Sequence, residues 1–89
     1  MRRKSKRARQ LAIQAARSES RFLHQWVQTL NKFRTLLESL GDRNPLHVDD
    51  VRFAIKELDI EIAELKQEED YWIGKLDEAL YEDADARQS

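Results

Sequence analysis

Two histidines, His24 and His47, and seventeen carboxylates are the side chains of this 89-residue chain best suited to moving protons or holding metal ions. Their spacing supports neither. Neither histidine has a glutamate three residues before it, so the Glu-x-x-His pairing that builds di-iron sites in helical bundles is missing. Cysteine is absent, which removes thiolate ligands, thiol nucleophiles and disulfides together. There is no glycine-rich phosphate loop and no serine beside a plausible base. The remaining acids sit at spacings that suit solvation and i,i+4 pairing with Lys and Arg. The sequence therefore predicts no enzyme, no cofactor and no metal.

A different chemistry is suggested by the first half of the chain. Arg3, Lys4, Arg7, Gln14, Arg17, Arg21, Gln25, Gln28 and Lys32 fall on one outward helical face that carries no acid before Glu38. A solvated helix face ordinarily mixes both signs. Cations and amides without carboxylates suit contacts to a phosphate backbone, which position a protein without reading sequence. Such a face would be on the order of 50 Å long at 1.5 Å per residue. That is enough to follow a duplex by shape, double-stranded RNA in particular. The expected function is a non-enzymatic oligomer that binds duplex RNA or DNA with low sequence specificity. The alternative is a coiled-coil adaptor or assembly subunit with a protein partner and no nucleic-acid role. Two plainer accounts compete for the cations. Arg7 and Arg9 can neutralise Glu78 and Glu82 across a hairpin, exposed pairs contributing roughly 0 to 1 kcal/mol each. The run Arg2 to Arg9 also fits a general polyanion-binding or nuclear-localisation stretch, a frequent pattern.

These faces need helices to position them. Leu23, Trp26, Leu30, Phe33, Leu37 and Leu40 alternate separations of three and four, and so do Val48, Val51, Ile55, Leu58, Ile62, Leu65, Trp72, Leu76 and Ala79. This is the apolar seam of a coiled coil, twice. Between the two lie Gly41, suited to a left-handed helix stop, and Asn44–Pro45, suited to a cap and first helical residue. The fold expected is all-α: an antiparallel two-helix hairpin, with helix 1 over about 6–40, a turn at 41–45 and helix 2 over about 46–81. A basic arm or the frayed start of helix 1 (1–9) would precede the hairpin body (10–81), and an acidic flexible tail (82–89) would follow it. Folding about residue 44 pairs positions whose numbers add to 88, which matches Phe33 with Ile55 and Leu30 with Leu58 but sets Glu19 against Glu69. The helix is expected to run through Ser18–Ser20 rather than break there.

Apolar residues also lie off these seams. Phe22, Val27, Phe53, Ile60, Ala63 and Tyr71 are the candidate oligomer interface, because a helix with two apolar faces is covered from two sides. A homodimer forming a four-helix bundle is the economical cover, and a lone hairpin of this size has little core of its own. No apolar run reaches the length of a membrane span and no signal-peptide pattern follows the basic start. An intracellular protein, cytoplasmic or nuclear and not secreted, is expected.

Overall fold

Ser5 opens the first helix. Its hydroxyl accepts a hydrogen bond from the Ala8 amide at 3.1 Å, satisfying one of the donors that a helix start leaves free. From there α1 runs unbroken over Lys6–Arg43 in the computed structural model, which describes residues 5–88. Through Ser18–Ser20 the helix persists, the Ser20 hydroxyl bonding back to the Arg17 carbonyl at 3.1 Å. Asn44 ends it, with its amide reaching the Leu40 carbonyl at 3.0 Å. A single 3₁₀ turn, Pro45–His47, leads directly into α2, Val48–Gln88. Asp49 and Asp50 lie in the first turn of α2, where carboxylates complement the helix dipole.

Gly41 does not stop the helix. No described glycine has a positive φ, and the turn falls at 44–47 rather than 41–45. What Gly41 provides is a close approach: a Cβ built there would lie 3.1 Å from Val51 Cγ1. The second helix is also longer than its composition suggests. Asp83 is buried, pairing with Arg9 Nε at 3.1 Å and with Arg87 at 3.0 Å. The stretch expected to fray at 82–89 therefore continues the helix as far as Gln88, docked against the start of α1.

Moving the turn moves the register. Arg9–Asp83 and Gly41–Val51 have numbers that add to 92, and His24–Glu69 and Arg34–Asp59 have numbers that add to 93. The helices are thus shifted by about one helical turn from the expected pairing of 88. On α2 the seam is the one read from the sequence, continued through Glu69, Asp83 and Ala86. On α1 it consists of Ala16, Ser20, Leu23, Val27, Leu30, Arg34, Leu37 and Gly41, none of them exposed. Trp26, Phe33 and Leu40, expected in the seam, are instead 46%, 53% and 45% exposed. The expected Glu19–Glu69 layer does not form: Glu19 is exposed and Glu69 meets His24 at 3.3 Å.

The result is a rod with principal extents of 66 × 18 × 15 Å. Its core is thin. Only Ala16, Leu23, Val27, Val51, Ile62 and Ala79 are buried apolar residues among those described.

Candidate functional site

The seam divides the surface of the hairpin into two flanks. A groove lined by Ala12, Ala15, Trp72, Lys75, Glu78 and Glu82 marks the first, and a groove lined by Glu38, Asp42, Val48, Arg52 and Ile55 marks the second. Heptad steps from these residues assign the rest, because positions seven apart share a face of a supercoiled helix.

On the first flank, α1 presents Phe22, Trp26, Phe33, Leu36 and Leu40, between 45% and 64% exposed. Their spacing of four, seven, three and four residues forms a second apolar stripe, about 100° around the helix from the seam at 3.5 residues per turn. Beside it, α2 presents Glu57, Glu61, Glu64 and Glu68, all exposed. Farther along, Lys75 lies 5.5 Å over the Tyr71 ring and 3.4 Å from Glu78. This flank is an apolar and aromatic ridge next to a wall of carboxylates.

The second flank holds the residues expected to meet phosphate. Arg7, Gln14, Arg17, Arg21 and Gln28 lie on it, and Gln25 and Lys32 lie beside it on the row of α1 that faces away from α2; all seven are exposed, while Arg3 and Lys4 lie outside the described residues. Arg7, Arg17, Arg21 and Lys32 make no ion pair with any described residue. Gln28 is engaged, its amide 3.1 Å from His24 Nε2. The absence of acids before Glu38 on this face of α1 does not carry over to the folded flank. Here α2 brings in Asp59, bonded at 2.7 Å to Arg34 Nε, and Glu69, bonded to His24. Hydrogen bonding to Asp59 foremost, and the charges of Asp59 and Glu38, hold the Arg34 guanidinium pKa above its ordinary value against a smaller opposing effect of burial.

The six residues expected to form an oligomer interface do not share one patch. Val27 is buried inside the hairpin, at 6% exposure, because the register turns it toward α2. Phe22 belongs to the aromatic ridge of α1. Phe53 and Ile60 lie on the outer row of α2, opposite its seam, and Ala63 and Tyr71 fall to either side of that row; all four are exposed. Missing from the expected interface are Trp26, Phe33, Leu36 and Leu40, which complete the ridge with Phe22. Their signal was available in the sequence as a second set of three-and-four spacings on α1, overlapping the first.

Glu69 has one carboxylate oxygen buried without a hydrogen-bond partner, a local defect of the seam. Among the described residues no three His, Cys, Asp or Glu side chains converge as metal ligands, and no helix is long and apolar enough to cross a membrane. No known family, curated protein or solved structure matches the chain at a significant level.

Proposed function

We propose that this hairpin is a non-enzymatic assembly subunit that docks on other helices through the aromatic ridge of α1. The observation that carries this reading is the unbroken exposure of Phe22, Trp26, Phe33, Leu36 and Leu40 along about five turns of one helix. Isolated exposed hydrophobes are ordinary, but a contiguous apolar stripe rimmed by charge is the mark of an interaction site. Helix-in-groove recognition reads side chains at this spacing. The acidic wall of α2 beside the ridge favours a partner that is apolar toward the ridge and cationic or amide-rich toward the wall. Photo-cross-linkers placed singly at positions 33, 36, 14 and 21 test it in cells expressing the protein. Protein cross-links from 33 and 36, but not from 14 and 21 on the opposite flank, are expected; equal yields at all four would contradict it.

A second reading rests on a separate observation, the exposed Arg7, Arg17 and Arg21 on the opposite flank of α1 and Lys32 beside them, none of which makes an ion pair with a described residue. They support contacts to a nucleic-acid backbone, the function expected from the sequence. Against it stands the α2 side of that flank, where the exposed Asp59 and Asp70 sit among the exposed Arg52, Lys56 and Lys66, a mixture of signs that weakens attraction for a polyanion. Few cations imply a shallow salt dependence, since each neutralised phosphate contributes a slope of about −0.9 in log affinity against log salt. Fluorescence anisotropy with duplex RNA, duplex DNA and single strands at low salt decides the matter. Saturable binding lost in Arg17→Glu/Arg21→Glu would establish it, and no binding to any of the three would end it.

A further inference from the structure

The ridge on α1 is self-complementary, and from that we infer that its occupant is α1 of a second copy, lying parallel and in register. The inference rests on the docking reading above and names its partner. Heptad spacing puts Trp26, Phe33 and Leu40 in one row and Phe22, Thr29 and Leu36 in the other, the two rows that two strands of a parallel coiled coil bring together. In register, each row meets its own copy: Phe22 with Phe22, Trp26 with Trp26, Phe33 with Phe33, and so on to Leu40. The five apolar side chains together expose on the order of 500 Å², and with their polar rim they come near the roughly 800 Å² per partner of a stable interface.

The acidic walls select the direction. Glu19 and Arg43, at the two ends of the ridge rows, would each meet its own copy in a parallel pair and each other in an antiparallel one, but the four glutamates of each wall outnumber them. An antiparallel α1–α1 contact would also match apolar with apolar, Phe22 against Leu40 and Trp26 against Leu36. The ridge, however, lies about 100° from the seam, so a two-fold axis perpendicular to the rods would put both α2 helices on the same side. The hairpin register would then set Glu61 directly against Glu61 of the partner subunit, amid the other glutamates of the two acidic walls. A two-fold axis along the rods places the α2 helices on opposite sides instead. The row of α1 that faces away from its own α2 contains Gln25 and Lys32, both exposed, and it is then turned toward the acidic wall of the other copy. Because α1 and α2 pair at numbers adding to 92, residue 32 is level with residue 60. The partner's Lys32 therefore falls among Glu57, Glu61 and Glu64, and the partner's Gln25 close to Glu64 and Glu68. The cation and amide favoured by the acidic wall are thus supplied by the chain itself.

The chain lacks cysteine, so introduced thiols report only on this contact. Phe22→Cys and Leu40→Cys proteins are prepared separately and mixed, equilibrated in a glutathione redox buffer, and checked for unchanged helicity by circular dichroism. The expected products are the 22–22 and 40–40 disulfides. A predominance of mixed 22–40 disulfide would overturn the parallel arrangement. Sedimentation of the unmodified protein should show a dimer. Lys32→Glu should weaken it severalfold, and Glu61→Lys added to Lys32→Glu should restore it. A monomer at micromolar concentration overturns the inference, while protein cross-links from position 33 to a different protein would leave the docking reading standing.

Discussion

At the scale of single residues, the two glycines show how one residue type serves different ends. Gly74 lies on the exposed face of α2 with nothing within 4 Å of where a Cβ would stand. Gly74→Ala should therefore gain close to the full helix-propensity difference, about 1 kcal/mol, raising Tm by about 4–8 °C for a domain of this size. Gly41 is equally helical, but its Cβ would press on Val51 at 3.1 Å. The same substitution there should gain distinctly less, and Gly41→Val should destabilise by wedging the helices apart. Thermal unfolding of the three variants checks the ranking; equal gains for Gly41→Ala and Gly74→Ala would mean that the helices do not approach closely at the turn. Gly41 was legible as special from its type and place. Its role was not, because a left-handed stop and a close helix approach both favour glycine.

The helix is the next scale, and the two helices differ in how plainly their sequence specifies a seam. In α2 one set of three-and-four spacings dominates, since the positions flanking it are mostly charged, and every apolar residue of that seam as far as Ala79 was readable. Two overlapping sets exist in α1. Leu23, Leu30 and Leu37 belong to the seam in either rotation, but the row beside them can be Trp26–Phe33–Leu40 or Val27–Arg34–Gly41. Maximal apolar burial favours the first row. The hairpin uses the second, in which Gly41 admits close packing and Arg34 reaches Asp59 at 2.7 Å. The extent of α2 was hidden for a similar reason. Polar composition suggested a frayed tail, whereas Asp83 anchors it through Arg9 and Arg87. Removing one partner of a part-buried pair leaves the other uncompensated. Asp83→Ala should thus unfasten the last turns of α2, with faster amide hydrogen exchange over 80–88 and little change near Val51. Unchanged exchange at that end would show that the pair does not hold the helix.

Across the whole molecule, opposite charge and exposed apolar surface matter more than any one contact. Over residues 5–88 most cations lie on α1 and most acids on α2, with both signs mixed near the turn at Glu38, Asp42, Arg52 and Lys56. The register redistributes the two faces expected from the sequence. The flank read as basic shares its surface with acids of α2, and Trp26, Phe33 and Leu40, read as hairpin core, lie on an exposed ridge. A core of six buried apolar residues among those described is slight for a free-standing domain; covering the ridge would enlarge it. The most direct test of that claim is hydroxyl-radical footprinting of the assembled protein, read residue by residue against a dilute sample. Phe22, Trp26, Phe33, Leu36 and Leu40 should become protected on assembly, while Phe53 and Ile60 on the outer row of α2 remain oxidised. Protection of Phe53 and Ile60 with an unprotected α1 ridge would contradict the account.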